Sequence, residues 1–149
     1  MKGKDLGDRR GEGAAAATEQ LSLSAKAALG VRIWSYFAIA AIGTRRLALP
    51  ELIERLARSR WSSPRHVDPR KLGFIVHRVL RLGSWRARCL HTSLVLFRLL
   101  LEQGDHPELV IGLPPEPTDK DAHAWVEMRG VEVGPPPGRG RHVELVRYR

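Results

Sequence analysis

"SWRARCLHTSLVLFRLLLEQG", residues 84–104, decides the fold. From Leu90 to Leu101 its apolar side chains fall nearly all round a helix, and a chain satisfies such a helix only by placing it in the middle of a domain. The spacing predicts a helix over 87–103, with Gly104 as its C-terminal stop. His91, Arg98 and Glu102 share the one face left to reach water. Cys89 is the chain's single cysteine; it stands at the first turn of this helix, just after Arg86 and Arg88.

Upstream, the pattern is helical. Residues 21–46 read as one long helix or a broken pair, with Gly30 and Gly43 as weak points. Pro50 suits the first turn of a second helix, whose Leu52, Ile53, Leu56 and Ala57 recur at helical spacing with Glu51 near the positive end of the dipole. Asp68 is a good N-cap for a third helix, with Pro69 at its first position and Gly83 after its end. Leu72, Ile75, Val76, Val79, Leu80 and Leu82 give that helix one apolar side.

Downstream, the period changes to two. "PELVIGL" (107–113) is a short strand followed by a proline-rich loop. "AHAWVEM" (122–128) alternates, and "RG" before "VEVG" turns it back as a hairpin. After a second irregular loop, "HVELVRY" (142–148) alternates again as a last strand, completing an antiparallel meander. The fold class is α+β: a helical N-terminal half, then a buried helix packed on an antiparallel sheet. Residues 1–19 are polar and rich in glycine and alanine, and are expected to be a disordered tail. Residues 20–149 then make one domain, with a helical part at 20–83 and a core at 84–149.

Composition narrows the function. The 149 residues suffice for one domain with a core, and one cysteine cannot form an internal disulfide. No apolar segment follows the basic start as a signal peptide would need. The most apolar stretch, 27–42, is broken by Arg32 and falls short of the roughly 20 residues of a membrane span. We read it as a buried helix, with membrane-surface contact the lesser reading, and the cytoplasm as the compartment. The net charge of +9 attracts phosphates, anionic lipid or acidic peptides without distinguishing them. It alone supports nucleic-acid binding, for there is no zinc-finger spacing and no basic run interleaved with stacking aromatics. One cysteine and scattered histidines give no metal-ligand spacing.

Two readings of Cys89 stay open on these residues. It is a buried structural cysteine, the commoner outcome, or a nucleophile whose thiolate is favoured by the helix dipole, Arg86 and Arg88. Alternation puts His123, Trp125 and Glu127 on one face of the hairpin and Ala124, Val126 and Met128 on the other. A histidine brought against a thiolate acts as its base and later as the proton donor to a leaving amine. Cys89 and His123 can meet only through the fold. Trp85 and Trp125 are core or cleft-wall residues first and peptide contacts second. His91 is expected at the surface, and His77 as a satisfied core histidine.

"CLHTSLVLFRLLLEQG", "ELVIGL" and "DAHAWVEMRGVEV" together resemble the transglutaminase-like leader peptidases of lasso-peptide biosynthesis. The likeness is to the stand-alone B protein, similar to the C-terminal domain of the microcin processing protein. It covers roughly residues 70–149. It implies a transglutaminase-like, papain-like cysteine protease core that removes the leader from a ribosomally made precursor. The core peptide then passes to an asparagine-synthetase-like cyclase that uses ATP, while a separate protein binds the leader. The peptidase chain itself needs no cofactor. By position, Cys89 is the implied nucleophile and His123 the implied general base and acid. The family's third residue, an aspartate twelve positions after that histidine, corresponds to Pro135. Glu132 is three residues off, an odd offset that turns a strand side chain to the other face. Glu127 shares the face of His123 but lies roughly 13 Å along the strand. Asp121, two residues before His123, fits no better, which leaves a backbone carbonyl or the end of the following loop as the orienting partner. The rival implication is a slow or inactive copy that binds precursor or cyclase as a scaffold. Arg-rich helices at 54–60 and 78–88 are expected to hold an acidic leader or partner.

Overall fold

The computed structural model describes residues 22–58, 62–63, 65–82, 89–116, 122–134 and 140–149. The expected tail at 1–19 lies outside them, as do Gly83, Trp85, Arg86, Arg88, Asp121 and Pro135. The described elements are α1 (Leu23–Arg46), α2 (Leu49–Arg58), α3 (Pro69–Arg81), α4 (Cys89–Glu102), β1 (Glu108–Leu113), β2 (His123–Met128), β3 (Val131–Glu132) and β4 (Val143–Tyr148).

Local chemistry sets the helix starts. Ser22 caps α1 by accepting the amide of Ala25, and Asp68 caps α3 by accepting the amide of Lys71 at 3.0 Å, with Pro69 in the first helical position. α1 runs unbroken through Gly30 and Gly43. It is less buried than expected of 27–42: only Ile33, Ala40 and Gly43 are buried, while Val31, Trp34, Ile39 and Ile42 are exposed. Its long apolar sequence serves two faces, one on α4 and one in solvent. By length and composition α1 is long and apolar enough to cross a membrane.

α4 is the centre of the domain, as its all-round apolarity requires. α1, α2 and α3 pack against it, as do β1 and β2. Leu94, Val95, Phe97 and Leu100 are the heart of the core. The face expected to reach water does not. Arg98 and Glu102 are almost completely buried and form an ion pair at 2.9 Å. Glu102 also receives Arg32 and the Tyr36 hydroxyl from α1, and Arg98 donates to the Leu56 carbonyl of α2 at 3.0 Å. A four-residue offset on one helix places the two charges side by side, and pairing allows both to leave water. His91 is half-buried and held by partners. Its Nε2 lies 3.0 Å from the Thr44 hydroxyl, and its ring meets Phe37 edge-on. Leu82, expected on the apolar side of α3, is exposed one residue past the end of that helix.

The four strands are antiparallel, but their order is β3-β2-β1-β4, not a meander. β2 and β3 form the expected hairpin. Arg129 and Gly130 both take positive φ, 50° and 74°, the two-residue turn whose twist matches the strands. β4 then adds to the free edge of β1, where it pairs from Leu109↔Tyr148 to Leu113↔Val143. β3 has two residues and offers little edge; β1 has six, and its Glu108 pairs with Arg147 of β4. A bulge between Ile111 and Gly112 shifts the β1–β4 register: Ile111 opposes Val146, but Gly112 opposes Glu144.

Candidate active site

The helix side of the sheet carries Leu109, Ala124, Val126 and Val133, all buried against α4. The other side carries the chemistry. Directly paired residues share a face, so the pairs Val110↔Trp125, Gly112↔His123 and Val110↔Arg147 put His123, Trp125 and Arg147 together. Trp125 Nε1 donates to Glu127 Oε1 at 2.9 Å, and Arg147 Nη1 reaches Glu127 Oε2 at 3.0 Å. Arg147 also binds Glu108 and Glu144. Three carboxylates hold its guanidinium proton, Glu144 foremost, and push its pKa up. Trp125 and Glu127 are therefore buried partners. This resolves the sequence alternatives for Trp125 in favour of packing.

Cys89 begins α4, half-buried, at the point where the helix meets the start of β2. Its Sγ lies 3.8 Å from the Ala122 carbonyl. One turn further, Ser93 Oγ donates to the Ala124 carbonyl at 2.8 Å and pins the helix to the strand. His123 hydrogen-bonds the sulfur, and this bond is the largest influence on the thiol, pulling its pKa below the usual value. Burial opposes it; the backbone N–H groups of Ala124 and Leu90 and the charge of the imidazole assist. The Leu90 amide is one of the unpaired donors of the helix N-terminus, so the expected dipole contribution is present in atomic form. Arg86 and Arg88, the other expected contributors, lie outside the described residues.

Three rings cluster beside the sulfur. The His123 ring is 6.0 Å from the Trp125 ring and nearly parallel to it, at 18°. The His142 ring is 5.0 Å from His123 and 6.1 Å from Trp125. Gly112 makes room for them. A Cβ there would stand 2.6 Å from the Val143 carbonyl and 2.9 Å from the Trp125 ring.

Of the sequence candidates, Cys89 and His123 are brought together, though 34 residues apart. Glu127 is on the face of His123 but committed to Trp125 and Arg147. Glu132 opposes Glu127, so it shares that face yet stands at the far end of the strand. His77 is half-buried on α3, where burial, then Arg81, pushes its pKa down. His142 was missed. The available signal was weak: a lone histidine opening an alternating run. Among the described residues no group of three His, Cys, Asp or Glu side chains could hold a metal ion. On α2, Arg55 and Arg58 pair with Glu51 and Glu54, which lowers the net charge of that expected docking face. Two cavities among the described residues, each above 400 Å3, lie along α1 and touch neither Cys89 nor His123.

No curated protein and no solved structure matches the chain. A family model described as the transglutaminase-like superfamily matches residues 33–146, reaching from α1 into β4 and so over well more than half of the sequence. The four helices and four-strand antiparallel sheet agree with that match, and the chain belongs to the transglutaminase-like superfamily.

Proposed function

We propose that this protein is a cysteine peptidase that removes the leader from a ribosomally made lasso-peptide precursor. The observation that carries the chemistry is the hydrogen bond between His123 and the Cys89 thiol, which favours the thiolate. The superfamily includes cysteine peptidases. The substrate rests on the resemblance of the 89–104, 108–113 and 121–133 motifs to the lasso leader peptidases.

In this reading the Cys89 sulfur attacks the carbonyl carbon of the scissile bond, and the electron pair moves onto the carbonyl oxygen. The His123 imidazolium gives its proton to the departing amine nitrogen, which leaves a thioester on Cys89. Neutral His123 then takes a proton from water, whose oxygen displaces the sulfur and releases the leader carboxylate. The chain uses no cofactor for this. A separate leader-binding protein delivers the precursor, and an ATP-using cyclase takes the core peptide, all in the cytoplasm.

Pro135 in place of the family's aspartate favours one second reading, a scaffold that binds precursor or cyclase without cutting. Purified precursor, leader-binding protein and this chain, followed by mass spectrometry, separate the two. Cleavage lost in Cys89→Ala and reduced about 10²–10⁴-fold in His123→Ala supports the peptidase. Cleavage that survives both substitutions removes it. Precursor binding without any wild-type cleavage supports the scaffold.

A further inference from the structure

We infer that His142 is the positioning residue of the Cys89–His123 pair, standing where the family pattern would use a carboxylate. This rests on the reading of Cys89 and His123 as nucleophile and base.

An imidazole that shuttles a proton has two nitrogens to satisfy. One faces the sulfur. The other needs an acceptor to hold the ring and its tautomer when the ring is charged. The position that a carboxylate would take for this in the family is Pro135, a residue without a side-chain acceptor. Glu127 cannot substitute: one oxygen accepts from Trp125 and the other from Arg147. Glu132 sits opposite Glu127 and is equally remote.

His142 is beside the ring. Imidazole nitrogens lie about 1.1 Å from the ring centre, so rings 5.0 Å apart can bring facing nitrogens to about 2.8 Å, hydrogen-bond distance. The tilt of 36° between the planes permits edge-to-edge approach. A neutral imidazole nitrogen is an acceptor of the required kind.

The sheet is built to deliver this side chain. Simple alternation back from Arg147 would put Leu145 and Val143, not His142, on the face of His123. The bulge at Ile111/Gly112 inverts the alternation, so Glu144 opposes Gly112 and shares a face with Arg147, to which it is paired. His142, two residues earlier, comes with it. Bulges re-aim side chains in this way and concentrate near active sites. The order β3-β2-β1-β4 is the second device, because a meander would have left His142 on the far side of β3. Gly112 is the third, opening the space over β1 through which the rings approach. Trp125, nearly parallel to His123, closes the remaining side.

The single cysteine makes the test independent of any substrate. The rate of iodoacetamide alkylation of the full chain is followed by mass spectrometry against pH, each profile normalised to its alkaline plateau, so that it reads the thiolate fraction. Among the described residues, the ionisable groups on the elements that carry the rings and the sulfur include Cys89 on α4, Glu127 on β2, Glu108 on β1, and Glu144 and Arg147 on β4; Arg147 holds the three carboxylates. His142→Ala should lower the normalised rate on the acid limb about threefold to tenfold, a shift of half to one pH unit. His142→Asn, which keeps an acceptor, should recover most of it. His123→Ala sets the largest shift. If His142→Ala superposes on wild type while His123→Ala shifts, the positioning role is overturned and the Cys89–His123 pair stands. If neither shifts, the pair itself fails. If His142→Asn falls as far as His142→Ala, with both folded by circular dichroism, the acceptor role is overturned. Should His142→Ala not fold, His142→Asn and His142→Leu decide: a shifted profile in His142→Leu with a near-wild-type one in His142→Asn supports the role, and equal profiles in the two overturn it.

Discussion

Glu102→Leu should destabilise the domain severely, although Leu fits an apolar helix better than Glu does. The Glu102 side chain is 0% exposed and that of Arg98 is 2% exposed. Glu102 binds Arg98 on its own helix and Arg32 and Tyr36 on α1, so one carboxylate joins two helices. The Tyr36 hydroxyl is held protonated by burial and then by that carboxylate, which push its pKa up. Without Glu102, Arg32 can turn to solvent but Arg98 cannot. Its Nε makes no hydrogen bond even now, its Nη2 meets only Glu102, and its remaining support is the Leu56 carbonyl and the Tyr36 ring 5.5 Å away. Breaking a buried ion pair from one side costs about 3–5 kcal/mol. A loss of about 4 kcal/mol is a roughly thousandfold change in the unfolding equilibrium and a large share of the 5–15 kcal/mol that typically holds a domain together. In urea, with a slope of about 2 kcal/mol per molar, the midpoint should fall by about 2 M. The double variant Arg98→Met/Glu102→Leu removes the orphaned charge and should recover most of that loss. A midpoint within about 0.5 M of wild type for Glu102→Leu, or a double variant less stable than the single, would refute the assignment of Arg98 as a buried charge held by its partner.

Other consequences concern the site and the caps. His123→Ala removes the main influence that lowers the Cys89 pKa, so the thiolate absorbance at about 240 nm should titrate closer to the usual value of 9.0. Because the folded-state pKa is depressed, the thiolate adds stability that is full above the unfolded value and lost as pH falls through the folded one. That alkaline increment, read from wild-type melts against pH, should shrink in His123→Ala. Gly112→Val forces a side chain into the Val143 carbonyl and the Trp125 ring and should cost about 1–3 kcal/mol by urea unfolding, together with slower alkylation of Cys89 at neutral pH. Asp68→Ala removes the α3 cap and should cost about 1 kcal/mol while leaving the Cys89 alkylation profile unchanged.

Much of this was legible in the sequence because it follows from short-range rules. The 3.6-residue period, Asp68–Pro69 and Gly104 mark helices by local chemistry, and the Arg129–Gly130 turn fixes the β2–β3 hairpin within a few residues. The burial of Arg98 and Glu102 was not legible. Charges on a helix normally mark its wet face, and only the arrival of Arg32 and Tyr36 from a helix some 70 residues earlier makes a dry carboxylate tolerable. The partial exposure of α1 escaped for the same reason: apolarity states what a helix can bury, while the number of neighbours decides what it does bury. The strand order also depends on a competition between two edges, β3 and β1, that no local pattern records.

The site divides along the same line. Cys89 and His123 could be singled out because each sits in a motif whose spacing has a chemical meaning. His142 could not, because its face is set by a register shift in a different strand. Alternation read from β4 alone sends it away from His123; alternation with the Ile111/Gly112 bulge brings it to within 5.0 Å. One inserted residue therefore exchanges every side chain of β4 before residue 146 between the helix side and the histidine side. It follows that deleting Val143, with Leu145 still unopposed between Glu144 and Val146, would keep Glu144 opposite Gly112 but set His142 opposite Leu113, on the helix side. That variant tests the geometry without touching either histidine. Its Cys89 alkylation profile should match that of His142→Ala, and a wild-type profile in a folded deletion variant would show that the register of β4 does not place His142.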